Sequence, residues 1–73
     1  MAQEIIEVPL TGKIVSVYVK EGDEVNEGDM VCTIESMKME NPILAPISGK
    51  VIKLEVSPDQ VVNPGENIAT IES

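Results

Sequence analysis

Histidine, arginine, tryptophan and phenylalanine are all missing from this 73-residue chain, which has one tyrosine, Tyr18, and one cysteine, Cys32. Each absence removes a class of function. Without histidine, and with the one thiol inside an apolar strand pattern, the usual acid–base and nucleophilic constellations cannot be assembled, so no catalytic residue is expected. A single cysteine cannot close an internal disulfide, which fits a reducing compartment and a cytoplasmic location. Five lysines stand against thirteen Asp and Glu, a net charge of −8, with no basic patch and no interleaved aromatics. Such a surface repels a phosphate backbone, and nucleic acid is excluded as a partner. The longest apolar runs are a few residues, far short of a membrane span or a secretory core, so direct membrane insertion is not expected. With so few aromatics, the core must be aliphatic. The length suits one small domain over residues 1–73 and leaves no room for a two-lobed catalytic cleft.

The acidic residues do not suggest a metal site. Glu21, Asp23 and Glu24, then Glu27 and Asp29, sit beside Gly22 and Gly28. They match no calcium-loop spacing and read as solvated turns.

What the chain does have is an internal repeat. Residues 8–36 read VPLTGKIVSVYVKEGDEVNEGDMVCTIES, and residues 45–73 read APISGKVIKLEVSPDQVVNPGENIATIES. A gapless offset of 37 pairs Pro9 with Pro46, Gly12 with Gly49, Lys13 with Lys50 and Gly28 with Gly65, and both copies end on Thr-Ile-Glu-Ser. Within each copy, Val15, Val17 and Val19 alternate with Ser16 and Tyr18, as Ile52, Leu54 and Val56 do with Lys53 and Glu55. That period of two marks half-buried strands. Turn chemistry follows at matched places: Gly22-Asp23 and Pro58-Asp59, then Asn26-Glu27-Gly28 and Asn63-Pro64-Gly65. No window carries sustained helical spacing. Each half alone would be a marginal sheet with an exposed apolar face, so the halves must cover each other. The expected fold is all-β, a flattened barrel or sandwich with pseudo-twofold symmetry.

Between the copies lies Met37-Lys38-Met39-Glu40-Asn41-Pro42-Ile43-Leu44. A strand ends at Glu35 and the apolar pattern resumes at Ile43, so the chain must reverse near Met37 and Lys38. Two methionines and a lysine make a poor turn by composition, where Asn-Gly or Asp-Gly is the ordinary choice. A junction that ignores turn propensity points to a requirement other than folding. If the flanking strands pair directly, residues 36–39 form a hairpin tip, with Met37 and Lys38 exposed and at positive φ.

The run Glu35-Ser36-Met37-Lys38-Met39-Glu40 resembles the attachment motif of biotinyl domains, the biotin carboxyl carrier branch of the biotin/lipoyl attachment family. Pro9 and Gly12 upstream, and Pro46, Ser48 and Gly49 downstream, extend the likeness over nearly the whole chain. Ser36 departs from the more usual alanine, one small residue for another. The resemblance implies two four-stranded antiparallel sheets in a barrel-sandwich hybrid. It implies biotin joined covalently to Lys38, with Glu35, Met37 and Met39 recognised by the ligase or transferase. The implied partners are a biotin protein ligase, a biotin carboxylase, and a carboxyltransferase or decarboxylase, between which the domain carries a carboxyl group. No insertion interrupts the first copy, so the domain resembles the thumbless type. No Pro- or Ala-rich linker precedes the first strand, which suits a stand-alone carrier or a domain excised from a longer protein. A lipoyl carrier domain of a 2-oxoacid dehydrogenase-type complex is the alternative. It places an acidic residue immediately before the lysine, where this chain has Met37.

Overall fold

The computed structural model describes residues 2–73. Among them are eight strands and no helix: β1 (Gln3–Glu7), β2 (Gly12–Val17), β3 (Glu24–Val25), β4 (Met30–Ser36), β5 (Met39–Leu44), β6 (Gly49–Leu54), β7 (Val61–Val62) and β8 (Asn67–Glu72). They form two four-stranded antiparallel sheets, ordered β1-β8-β6-β3 and β5-β4-β2-β7. Adding 37 to the residue numbers carries β1 to β4 onto β5 to β8 within a residue at the ends. The second sheet is therefore the first with every strand exchanged for its equivalent.

The halves do more than cover each other. Each sheet takes two strands from the first half and two from the second. Their loops are hydrogen-bonded across the same divide, in matched pairs. Ile14 N donates to Gln60 O at 2.8 Å, as Val51 N does to Asp23 O at 2.8 Å. Gly28 N donates to Ala45 O at 2.9 Å, and Gly65 N to Val8 O at 3.0 Å. Neither half can close its own ladder, so the two form one cooperative unit.

The core is aliphatic. Ile14, Val31, Ile34, Val51, Val62, Ile68 and Ile71 are fully buried, and Cys32 is the one thiol among them. Simple alternation along β2 and β6 does not hold. The pairing register slips between Ile14 and Ser16, and at the equivalent place between Val51 and Lys53. A β-bulge adds one residue and re-aims its side chain. Ile14 and Val51 accordingly point inward, and Val15 and Ile52 are left 38% and 39% exposed. An unbroken period of two cannot anticipate that slip.

The acidic turns also have a local explanation. Asp23 accepts a hydrogen bond from Lys20 N at 3.0 Å, and Asp29 from Asn26 N at 2.8 Å. Gln60 and Glu66 do the same for Ser57 N and Asn63 N in the second copy. These side chains tie down turn backbones.

Two glycines allow β2 and β6 to approach their neighbours. A Cβ on Gly12 would lie 2.5 Å from the Glu35 carbonyl oxygen and 2.6 Å from Ile34 Cγ2; one on Gly49 would collide with the Glu72 carbonyl and crowd Ile71 Cγ2. The blocking atoms are largely backbone, so Gly12→Ala and Gly49→Ala are each expected to destabilise the fold by about 1–3 kcal/mol. Chemical denaturation of the two variants checks this, and Gly28→Ala serves as a comparison with open space but a positive φ.

Candidate functional site

The junction of the repeat is a tight hairpin. Strands β4 and β5 pair without a slip from Cys32↔Ile43 through Ile34↔Asn41 and Glu35↔Glu40 to Ser36↔Met39. That leaves Met37 and Lys38 as a two-residue loop with φ values of 52° and 65°. Both are positive, as a type I′ turn requires, the turn whose twist matches the flanking strands. For residues with a Cβ this conformation costs roughly 1–2 kcal/mol each. The stem that holds it is rooted in the core through Ile34, which is fully buried. Asn41 leans against the stem, its Nδ2 donating at long range to Ile34 O (3.4 Å) and Met39 O (3.5 Å).

All four residues singled out in sequence lie on this hairpin. Lys38 and Glu35 are exposed, and Met37 and Met39 are 92% and 67% exposed. Among the described residues, the ion pairs are Lys13–Asp59 at 3.6 Å and Lys53–Glu55 at 3.9 Å, and neither involves Lys38. Glu35 faces Glu40 across the stem and Lys13 on its other side. Like charges directly opposite each other destabilise a strand pair, so folding gives no reason for the Glu35–Glu40 pair.

The chain ends lie at the other end of the molecule. Ser73 N donates to Ala2 O at 2.9 Å. Glu72 and Glu24 flank Lys50 on neighbouring strands, and the turn after Val25 leads to Met30, the end of β4 farthest from the tip. The body is elongated, 36 × 19 × 16 Å.

The hairpin can offer a primary amine, unpaired and held away from the body. It cannot offer much else. No cavity is found among the described residues, and no three His, Cys, Asp or Glu are gathered to hold a metal ion. Burial pushes the Cys32 thiol up to about 11, so it is no nucleophile at neutral pH. Asp59, at φ 72°, is a feature that its turn composition in sequence does not single out. Its equivalent under the repeat is Gly22, at φ 96°.

A small antiparallel barrel-sandwich that presents one strained, exposed lysine on a two-residue tip is the architecture of a swinging-arm carrier. A model of the family described as biotin-requiring enzyme matches residues 4–71, and the chain belongs to that family. The chain is similar to the 2-oxoglutarate carboxylase large subunit of Hydrogenobacter thermophilus, 57% identical over 37 residues, which is 51% of this chain and 6% of that one. It is 49% identical over 39 residues to the glutaconyl-CoA decarboxylase subunit gamma of Acidaminococcus fermentans, covering 53% of this chain and 27% of the other. With the biotinylated protein TB7.3 of Mycobacterium tuberculosis it shares 43% identity over 42 residues, 58% and 59% of the two chains. In each case the match spans less than two thirds of the relative's length. Among solved structures, the urea carboxylase of Kluyveromyces lactis superposes with a TM-score of 0.88 at 33% identity, covering 99% of this chain and 6% of that one. A single-chain long-chain acyl-CoA carboxylase does so at 0.87 and 28% identity, covering 93% and 7%. The chain is a biotin carboxyl carrier domain, and its prosthetic group is covalent biotin.

The buried thiol generates a prediction. Cys32 titrates from an unfolded value of 9.0 to about 11 in the fold. Between those values the unfolded chain has lost more protons than the folded one, so stability falls as pH rises from 9 to 11, by roughly 3 kcal/mol in total. Denaturant midpoints of the chain and of Cys32→Ala, compared at pH 8 and pH 11, check it. The variant should lack this part of the decline.

Proposed function

We propose that Lys38 carries the biotin, and that the domain delivers a carboxyl group between a biotin carboxylase site and a carboxyltransferase or decarboxylase site on partner proteins or domains. One observation carries the assignment: of the five lysines, Lys38 alone sits at a backbone position that costs free energy to maintain, on a tip rooted in the core. Lys13 and Lys50 are repeat equivalents near the two sheet ends, and neither is unique.

The chain's own chemistry is simple. A biotin protein ligase binds the tip and removes a proton from the Lys38 ammonium. The neutral amine attacks the activated acyl carbon, the bond to the activating group breaks and that group leaves with its electron pair. The nitrogen gives up a second proton as the amide forms. No histidine is present in the chain to accept the proton that the amine gives up. The ligase supplies the base. Bound biotin supplies a ring nitrogen that accepts and releases a carboxyl group. Glu35, Met37 and Met39 serve recognition: the methionines offer apolar area and Glu35 a charge beside the attachment point. No residue of the domain takes part in the bond changes, and the domain acts as a carrier in a cytoplasmic assembly. The unpaired Cys32 is at home in a reducing compartment, and no helix of the described residues is long and apolar enough to cross a membrane.

What the domain contributes to rate is effective concentration. Tethered delivery replaces bimolecular encounter with local concentrations around millimolar for short flexible linkers. The lysine and biotin together reach on the order of 14 Å.

Lys38→Arg should keep the fold and lose all biotinylation, read by intact mass and streptavidin capture after co-expression with a biotin protein ligase. Label remaining on that variant returns the assignment to another lysine. Met37→Ala and Met39→Ala truncate exposed side chains and should change stability by no more than about 0.5 kcal/mol. Their biotinylation or carboxyl-transfer rates should fall while the melting temperature holds.

A further inference from the structure

The internal repeat gives every position a control in the other half, and one turn fails the comparison. Lys20-Glu21-Gly22-Asp23-Glu24 and Ser57-Pro58-Asp59-Gln60-Val61 occupy equivalent places at opposite ends of the molecule. Both turns are built alike, with Gly22 N donating to Val51 O at 2.8 Å and Asp59 N to Ile14 O at 2.7 Å. The first carries four charged side chains, the second only Asp59. Where the first puts glycine at positive φ, the second puts Asp59 at φ 72°. Where the first ends on Glu24 opposite Lys50, the second ends on Val61 opposite Lys13, and Val61 is 67% exposed. Folding explains none of these exchanges, since the first turn meets the same requirements with ordinary residues.

The differing turn lies beside the Lys38 tip. Lys13 pairs with Glu35 on one side and Val61 on the other, so Val61 sits two strands across from the hairpin stem, three residues below Lys38. Strand spacings place it on the order of 14 Å from the Lys38 Cα. A bare lysine amine reaches only about 6 Å from its own Cα. An enzyme that acts on that amine must bring its surface close over the tip, and thereby over this neighbouring turn. Enzymes that act on the finished arm can stand farther off, because the arm with biotin attached reaches roughly 14 Å.

We propose that Pro58, Asp59 and Val61 form a docking shoulder for the biotin protein ligase. The inference rests on Lys38 being the attachment site. Val61 and Pro58 supply apolar contact in a place cleared of the acids its counterpart carries. Asp59, exposed and paired with Lys13 at 3.6 Å, supplies a carboxylate for a donor on the ligase.

The test transplants the first turn into the second. The variant P58E/D59G/Q60D/V61E reproduces Glu21 to Glu24 at positions 58–61, a sequence this fold already accommodates. V61E alone is the minimal form, and E24V is the control at the far end. Each is assayed with a purified biotin protein ligase that labels the unchanged chain, alongside circular dichroism and melting. We expect kcat/KM for biotinylation to fall about tenfold in the transplant, mainly through KM, with E24V unchanged. Acylation of Lys38 by a small activated ester, read by peptide mass, should stay the same in all of them. A transplant that melts like the unchanged chain and is biotinylated within twofold of its rate overturns the shoulder. If the transplant does not fold, V61E decides on the same criterion. Label surviving on Lys38→Arg would instead remove the attachment assignment, so the two failures are distinct.

Discussion

Everything in this molecule depends on a shared ladder. Neither copy of the repeat can complete a sheet, because each sheet flanks two strands of one half with two of the other, and turn amides such as those of Gly22, Gly28, Asp59 and Gly65 donate to the opposite half. Seventy-three residues bury too little to stand as two independent units. The twofold arrangement makes one core out of two inadequate ones. Gly12 and Gly49 set how closely its strands can pack, since a side chain at either would strike the carbonyl of Glu35 or Glu72. The same arrangement explains why the acids in the turns are mostly structural. Asp23, Asp29, Gln60 and Glu66 do one job at four equivalent corners.

A repeat that folds on itself leaves one segment without an equivalent. Met37 and Lys38 lie between the two copies, residues 8–36 and 45–73, so the tip is free of the constraint that governs the copies. Strain collects accordingly. Among the described residues, the non-glycine residues at positive φ are Met37, Lys38 and Asp59, and all three lie at the tip end; the far-end equivalent of Asp59 is Gly22. At roughly 1–2 kcal/mol each, they take a noticeable share of a stability that for small domains is only about 5–15 kcal/mol. Strain of this kind persists only where the surroundings over-determine it. Here the unslipped register from Cys32 to Ser36 does so.

Much of this was legible in the amino-acid order, for identifiable reasons. The gapless offset carried the all-β class and the twofold relation of the halves, because a β fold with matched turns leaves few other ways to bury two identical apolar faces. The count of four strands per sheet came from the family resemblance. The positive φ at Met37 and Lys38 followed from twist matching in two-residue loops, which depends on strand pairing and not on residue type. The bulges at Val15 and Ile52 were hidden, since each inserts a residue without disturbing the apparent alternation of apolar and polar side chains. The interleaving of the halves was hidden too. Mutual cover and mutual pairing ask for the same hydrophobic pattern, and only the hydrogen-bond register separates them. The weight of Asp59 emerged only when its backbone angle was set beside that of Gly22.

Fixing the lysine stem by backbone geometry has a kinetic consequence. A flexible tip would present its amine over a wide cone, and each partner would have to pay the entropy of ordering it on every visit. A type I′ tip on a slip-free stem has met that cost in folding. The freedom that remains belongs to the side chain and to the body as a whole. With biotin on Lys38, as proposed, the arm would sweep on the order of 14 Å, less than half the 36 Å length of the domain. Two active sites separated by more than about twice that sweep cannot be served from one resting position of the body. On the proposed attachment at Lys38, transport over longer distances would come from displacement of the entire domain, with the lysine aimed the same way at each end of the journey. A surface rich in unpaired carboxylates away from the tip suits that motion, because a net charge of −8 discourages lasting contact with other acidic surfaces.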